Sequence, residues 1–227
     1  MEKGSTNLNG LLSDKDFLKL EKEYRFLKRA REFYRGSMNE LERECYAVVD
    51  IETTGLNPEE NEIIEIGALL IQEREIKDVF STLISGSSPI PPEIEGLTGI
   101  KDEFLKNEPS ISQVLPSFLK FIGEATLVVH NVDFDIVFLK THISKILKTE
   151  LNNKSICTLK VAKVLLPNLG NYKLHTVAEY LKIPISTRHR AIGDAEITYQ
   201  IWMKFLTLLK DKKINTKSDL EKLLIMV

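Results

Sequence analysis

The stretch Asp50-Ile51-Glu52-Thr53-Thr54-Gly55 is the most informative part of this sequence, because it places two carboxylates at the end of a predicted buried strand. That strand is the apolar run Cys45-Tyr46-Ala47-Val48-Val49. Side chains two positions apart in a strand point the same way, so Asp50 and Glu52 form a pair roughly 6–7 Å apart. Such a pair is suited to a hard divalent cation. The alternative is an ordinary turn or helix cap, since Asp, Thr and Gly are also turn residues.

Two later segments also place polar side chains next to apolar elements. The first, His130-Asn131-Val132-Asp133-Phe134-Asp135, follows the apolar run Leu127-Val128-Val129. The second is His189-Arg190-Ala191-Ile192-Gly193-Asp194. Asp194 lies on the apolar stripe of the last long predicted helix, which is marked by Ile197, Ile201, Phe205 and Leu208. A carboxylate on the buried face of a helix needs a partner, and a metal ion is a suitable one.

In this order, the segments resemble the DEDD exonucleases of the RNase H-like fold, in the subgroup whose last motif has a histidine five residues before its aspartate. Within that family the sequence resembles the proofreading epsilon subunit of bacterial DNA polymerase III and its stand-alone relatives. The resemblance covers residues 46–209. It includes three further stretches: Ile63-Ile64-Glu65-Ile66-Gly67-Ala68, Leu97-Thr98-Gly99-Ile100 and Leu174-His175-Thr176-Val177-Ala178.

The resemblance implies a two-metal-ion 3′–5′ exonuclease that releases nucleoside 5′-monophosphates, with Mg²⁺ or Mn²⁺ as cofactor. Asp50 would bridge both ions, and Asp135 would help to hold the ion on the leaving-group side. Glu52 and Asp194 would complete the ion on the side of the nucleophile. His189 would be the general base, because an imidazole titrates near neutral pH and can accept a proton from a metal-polarised water.

The resemblance also implies residues that bind the terminal nucleotide, namely Thr53, Gly55, Leu56, His130 and Asn131. The alternative for the last two is that they only shape the turn from strand to helix. Asp133 competes with Asp135 as a ligand, because an Asp just before a helix is commonly its N-cap. The family pattern places the ligand directly after a phenylalanine, which favours Asp135.

The order of the predicted elements is typical of an α/β domain. We expect strands over 47–52, 63–71 and 79–84 in an antiparallel meander, followed by alternating helices and strands. We interpret Glu65 as a solvent-facing residue of the second strand. The resemblance implies an RNase H-like three-layer fold, with a mixed five-stranded sheet flanked by helices and an extra N-terminal helical segment.

Charge and spacing divide the chain into three expected parts. Residues 1–44 form a charged amphipathic helical extension, 45–210 the exonuclease domain and 211–227 a short C-terminal tail. The extension either packs its apolar stripe on its own domain or serves as an arm that contacts DNA or docks a partner.

Composition limits the class of protein. With 227 residues, 43% of them hydrophobic, the chain is large enough to bury one sizeable core. The net charge of −2 counts mildly against a protein that coats duplex DNA. Cys45 and Cys157 lie in apolar runs and are expected to be reduced core residues. Because we find no signal peptide and no long uncharged apolar span, we expect a soluble cytoplasmic protein with no membrane partner.

The sequence is consistent with three functions. The resemblance favours hydrolysis of single-stranded or frayed DNA 3′ ends in proofreading or repair, either beside a DNA polymerase subunit or as a free-standing enzyme. An RNA-directed 3′–5′ exoribonuclease differs from it by a contact to the 2′-hydroxyl, which the sequence does not reveal. The third is a non-catalytic nucleic-acid-binding or scaffolding domain. The intact set of four acids and His189 argues against that hypothesis.

Overall fold

The structure, a computed structural model, describes residues 14–185 and 189–225, with side chains from residue 19 onward. The chain divides into two compact units between Met38 and Asn39. In the described part of the first unit, helix α1 (Asp14–Gly36) provides the predicted N-terminal helical segment. It exposes several large apolar side chains: Leu20, Tyr24, Phe26, Leu27, Phe33 and Tyr34. The first 13 residues of the predicted extension lie outside the described part of the chain.

A five-stranded sheet organises the second unit. Its strands are β1 (Cys45–Thr53), β2 (Ile63–Gln72), β3 (Glu75–Leu83), β4 (Thr126–Val129) and β5 (Ser155–Cys157). Their order in the sheet is β3-β2-β1-β4-β5. The first three strands pair antiparallel, whereas β4 runs parallel to both β1 and β5. The predicted antiparallel meander and mixed five-stranded sheet are therefore confirmed.

Helices cover both faces of this sheet. The described helices of the second unit are α2 (Glu40–Arg43), α3 (Pro92–Thr98), α4 (Asp102–Leu105), α5 (Ile111–Ile122), α6 (Val132–Leu147), α7 (Thr158–Leu165), α8 (Leu174–Tyr180), α9 (Ala191–Asp211) and α10 (Lys217–Ile225). Side chains of β1 alternate between two cores, with Tyr46 and Val48 packing towards α7–α10 and Ala47 and Val49 towards α5 and α6. This alternation confirms the predicted three layers.

Residues beyond both ends of the predicted exonuclease domain contribute to the first of these cores. Leu41 of α2 and Leu220 of α10 are buried there, beside the aromatic side chains of Tyr46 and Trp202. Among the described residues, no helix is long and apolar enough to cross a bilayer.

The turn between β2 and β3 is held by a network of charges. Glu73 and Arg74 both have positive φ, which is uncommon for residues with a side chain. The Arg74 guanidinium donates to the Glu42 carboxylate at 2.8 Å and to the Met203 carbonyl of α9 at 2.9 Å. The Lys210 ammonium donates to the same carboxylate at 2.7 Å. Glu42 is 3% exposed, so this carboxylate depends on its partners.

We expect Glu42→Gln to lower the free energy of unfolding by about 2–3 kcal/mol, because Arg74 and Lys210 lose the negative charge that they contact. The loss is limited because both cations are partly exposed and are then hydrated by water. Burial raises the pKa of Glu42, but hydrogen bonds from Lys210, Asn39 and Arg74 outweigh it, so the pKa lies below its usual 4.5. The folded state therefore binds this proton less readily than the unfolded state. The stabilisation is complete above about pH 4.5 and disappears as the pH falls through the folded pKa.

Urea unfolding followed by circular dichroism measures this effect. The difference between wild type and Glu42→Gln should be large near pH 7 and should narrow at acidic pH. An equal difference at both pH values would contradict the assigned role of the ionised carboxylate.

Candidate active site

The acidic pair lies at the carboxyl end of β1, on the face of the sheet that α9 covers. Asp50 is paired in register with Gly67 of β2, and Glu52 with Glu65. Residues directly opposite each other in an antiparallel pair project from the same face. The side chains of Asp50 and Glu52 are half-buried, and they project from the same face of β1 as Tyr46 and Val48, which pack towards α9.

The first turn of α9 brings a third carboxylate to this pair. One carboxylate oxygen each from Asp50, Glu52 and Asp194 lies within 4.8 Å of the others. This approach depends on Gly67, because a Cβ atom at that position would lie 2.3 Å from the Ala191 carbonyl carbon and from the Ile192 nitrogen. The three oxygens form a donor set that suits Mg²⁺ or Mn²⁺, which prefer carboxylate ligands.

A fourth carboxylate, that of Asp135, reaches the cluster from the first turn of α6. Asp135 is buried, accepts a hydrogen bond from the Ile51 backbone, and interacts electrostatically with Asp50 and Asp194. Asp133, which competes with it in the sequence, is exposed. The geometry thus supports Asp135 as the member of this cluster.

The cluster is electrostatically costly without a cation. Burial, followed by the charges of Asp135 and Glu52, raises the pKa of Asp50 well above its usual range. Burial and the neighbouring Asp194 raise the pKa of Glu52 to about 8. Burial also raises the pKa of Asp135 to about 7. Several carboxylates that are buried close together repel one another, and a bound divalent cation offsets this repulsion. The residues therefore fit a metal centre.

We therefore expect Mn²⁺ to bind more tightly as the pH rises from about 6 to about 8, with proton release, because carboxylates must lose their protons to become ligands. The folded pKa values of Glu52 and Asp135 lie above the usual 4.5 and 3.8, so the metal-free folded state binds more protons than the unfolded state. The stability of the metal-free protein should accordingly fall as the pH rises towards about 8. Calorimetric titration in buffers of different ionisation enthalpy measures the protons released. An affinity independent of pH would contradict the raised pKa values.

His189 lies two residues before α9, next to the N-cap residue Arg190. Its backbone N–H donates to Oδ2 of Asp194 at 3.2 Å, its side chain is exposed, and its φ is 55°. A left-handed conformation in a non-glycine residue is held by its surroundings. The structure thus fixes the His189 backbone directly at the carboxylate cluster.

The predicted substrate-binding residues after the acidic pair form a tight turn. The Thr53 hydroxyl donates to the Gly55 carbonyl at 2.6 Å. A Cβ atom at Gly55 would lie 2.6 Å from the Asn61 side chain, so a larger residue would displace that side chain, which accepts a hydrogen bond from the Asn57 N–H. Leu56 is 83% exposed. Its side chain is open to solvent in the turn that follows the acidic pair.

The remaining two predicted substrate-binding residues lie between β4 and α6. His130 is buried, with Nδ1 2.9 Å from the Thr158 hydroxyl and Nε2 2.8 Å from the Tyr172 carbonyl. Both ring nitrogens thus have partners within the protein, which supports the alternative that His130 shapes this turn. Asn131 is exposed at the N-cap position of α6, where its side chain makes no capping hydrogen bond.

The expectation that Glu65 faces solvent is wrong. Glu65 is 1% exposed, and its carboxylate is paired with Arg190 at 2.8 Å. Helices cover both faces of the sheet, so a central strand has no solvent face to which a polar side chain could turn. The available signal was a single carboxylate inside the apolar run Ile63-Ile64-Glu65-Ile66.

Comparisons with known proteins identify the family of this chain. A family model described as Exonuclease matches residues 47–202. The chain is 42% identical over 178 residues to DNA polymerase III PolC-type of Thermotoga maritima, covering 78% of this chain but 13% of that protein. It is 37% identical over 161 residues to DNA polymerase III subunit epsilon of Aquifex aeolicus, covering 71% of this chain and 80% of that protein.

Two solved structures share the fold. Exonuclease X in complex with 5′-overhanging duplex DNA matches with a TM-score of 0.61 and 24% identity, over 79% of this chain and 99% of that chain. The nuclease domain of 3′hExo, described as a DEDDh family member bound to rAMP, matches with a TM-score of 0.65 and 21% identity, over 77% and 96% of the two chains. The chain therefore belongs to the exonuclease family, and its second unit has the RNase H-like fold of these enzymes.

Proposed function

We propose that this protein is a two-metal-ion 3′–5′ exonuclease that hydrolyses DNA from single-stranded or frayed 3′ ends to nucleoside 5′-monophosphates. The observation that carries the proposal is the meeting of Asp50, Glu52 and Asp194 within 4.8 Å, from elements far apart in sequence. The buried Asp135 carboxylate adds a fourth acidic ligand beside them. Membership of the exonuclease family supports the same chemistry.

Each acidic side chain has a proposed role. Asp50, Glu52, Asp135 and Asp194 would hold two Mg²⁺ or Mn²⁺ ions. When bound, these ions would polarise the attacking water and neutralise charge on the phosphate. The charge balance is favourable, because the four carboxylates repel one another without cations.

His189 would take the proton from the attacking water. Its exposed side chain starts from a backbone that is hydrogen-bonded to Asp194, so the imidazole is attached beside the carboxylate cluster. A neutral imidazole is an effective general base near neutral pH. The Thr53–Gly55 turn and Leu56 would contact the terminal nucleotide, and the strand-to-helix turn at His130 and Asn131 would border the same site.

DNA is favoured as substrate because the sequence relatives are named as DNA polymerase III proteins. The same names support a role in proofreading or repair, with a DNA polymerase subunit as partner. The chain spans 13% of the length of the PolC-type relative from Thermotoga maritima. A free-standing enzyme is the alternative arrangement. A solved structure of matching fold, named for recognition of histone mRNA by a 3′-exonuclease, keeps RNA as the competing substrate.

The test uses purified protein with 5′-labelled single-stranded DNA, a duplex with a mismatched 3′ end, and RNA of the same sequence. With Mg²⁺ or Mn²⁺, we expect stepwise shortening from the 3′ end, release of 5′-monophosphates, and a faster rate on DNA than on RNA. EDTA should stop the reaction. Activity in excess EDTA, or cleavage of circular single-stranded DNA, would overturn the proposal. A faster rate on RNA would replace the DNA substrate by the alternative.

A further inference from the structure

Glu65 is a fifth carboxylate beside the four proposed ligands. It lies on β2 directly opposite Glu52 in the strand register and is 1% exposed. A buried carboxylate in this place is either another metal ligand or a group that holds the site in position. Its hydrogen bonds distinguish the two roles.

Both oxygens of Glu65 accept hydrogen bonds from the start of α9. Oε1 accepts from Nη2 of Arg190 at 2.8 Å, and Nε of Arg190 lies 3.2 Å from each oxygen. Oε2 also accepts from the Ala191 backbone N–H at 2.9 Å. The first turn of a helix has N–H groups without partners in the helix, and no side chain caps α9 at its own N-cap residue, Arg190. Glu65 supplies both the acceptor and the negative charge that this helix end favours.

Gly67 gives a second and independent indication that α9 is seated on β2. It is two residues from Glu65, so the two positions share one face of the strand. At Gly67 the α9 backbone comes so close that a Cβ atom would lie 2.3 Å from Ala191. On β2, Glu65 therefore binds the first turn of α9 through hydrogen bonds, and Gly67 leaves the space that this turn occupies.

Glu65 contacts Arg190 and Ala191, and these two residues lie in sequence between the two residues that the proposed chemistry needs from this segment. His189 immediately precedes Arg190, and Asp194 follows three residues after Ala191. The His189 backbone N–H donates to the Asp194 carboxylate at 3.2 Å, so this hydrogen bond links the residues on either side of Arg190 and Ala191. A shift of the first turn of α9 would move both groups relative to β1.

The geometry argues against Glu65 as a metal ligand. Its two oxygens are already occupied by Arg190 and Ala191. Arg190 also places a positive charge beside Glu52.

We propose that Glu65 is a positioning residue that, through Arg190 and the backbone of Ala191, sets Asp194 and His189 against the acidic pair of β1. The proposal rests on the proposed exonuclease function for its kinetic consequences. Its structural part concerns the placement of Asp194 and is measurable without catalysis.

The test compares Glu65→Gln with a matched control, Glu42→Gln. Both substitutions remove the charge of a buried glutamate that is paired with an arginine, and Glu42 lies outside the proposed site. Loss of a group that orients a metal ligand typically lowers metal affinity or activity by about 10–100-fold. We expect Glu65→Gln to lower kcat on single-stranded DNA by that factor, with KM within about twofold, and to weaken Mn²⁺ binding measured by electron paramagnetic resonance. Glu42→Gln should lower thermal stability while kcat and Mn²⁺ affinity stay within about twofold of wild type.

A double-mutant cycle tests whether Glu65 and Arg190 act as a unit. If they do, Glu65→Gln/Arg190→Gln should be no slower than the worse single variant, because each change already breaks the same contact. If Glu65→Gln fails to fold, Arg190→Lys is judged by the same criteria, since it keeps a positive charge beside the buried Glu65 carboxylate and removes the guanidinium hydrogen bonds.

The outcomes separate this proposal from the proposed function. Normal kcat and normal Mn²⁺ affinity in Glu65→Gln, or equal losses in Glu42→Gln, would overturn the positioning role. A wild-type protein without exonuclease activity would overturn the function instead, and the Mn²⁺ affinities of the two variants would still decide the role of Glu65.

Discussion

Asp50→Asn should abolish turnover, with kcat lowered by about 10³-fold or more, because the proposed bridging ligand supports several kcal/mol of transition-state charge stabilisation. The substitution keeps the size of the side chain and removes one negative charge from the cluster. Single-turnover hydrolysis of 5′-labelled single-stranded DNA at saturating Mn²⁺ measures the effect.

The same variant should be more stable than wild type when metal is absent. Burial and the neighbouring Asp135 raise the pKa of Asp50, so its ionised form is unfavourable in the folded protein at neutral pH. An uncharged amide removes that cost. Thermal melting in EDTA should show a higher midpoint for Asp50→Asn, and addition of Mn²⁺ should raise the midpoint of wild type only. Near wild-type activity at saturating metal would contradict the role assigned to Asp50.

His189→Ala should lower kcat by about 10²–10⁴, the usual contribution of a general base, with little change in KM or Mn²⁺ affinity. The acidic limb of the pH–rate profile should disappear, because the imidazole accepts a proton only in its neutral form. Measurement at saturating Mn²⁺ minimises the contribution of carboxylate protonation to that limb. A higher pH should partly rescue the variant by supplying more hydroxide.

A second substitution separates the imidazole from the backbone of this residue. His189 has a φ of 55°, a conformation that asparagine tolerates better than alanine. His189→Asn should therefore keep the hydrogen bond from the backbone N–H to Asp194 and still be as slow as His189→Ala. Recovery of activity in the Asn variant would assign the defect to backbone geometry. A defect cured by excess metal would make His189 a ligand, and a loss below about tenfold with an unchanged acidic limb would remove it from the mechanism.

The acidic pair and the strands could be predicted from the sequence because their signals are local. Alternation along β1 places Asp50 and Glu52 on one face, and helical spacing places Asp194 on the buried face of α9. These patterns identify which side chains share an element face. They do not give distances between elements.

The role of Glu65 could not be predicted, because it depends on two non-local facts. One is the register that places Glu65 opposite Glu52, and the other is the close approach of α9 at Gly67. Alternation of apolar and polar residues along a strand predicts that the polar residue faces solvent. That prediction fails for Glu65 because helices cover both faces of β2. The buried environment of His130 is likewise non-local, since its partner carbonyl belongs to Tyr172.

We propose that the carboxylates of β1, α6 and α9 together form a two-metal centre for hydrolysis at DNA 3′ ends. The most direct test is a Mn²⁺ titration followed by electron paramagnetic resonance, with a nucleoside 5′-monophosphate present as product. We predict two Mn²⁺ ions per wild-type chain, close enough for their spins to couple, and loss of the coupled signal in Asp50→Asn. Equal Mn²⁺ binding by wild type and Asp50→Asn, or no binding by either protein, would show that these carboxylates do not form the proposed two-metal centre.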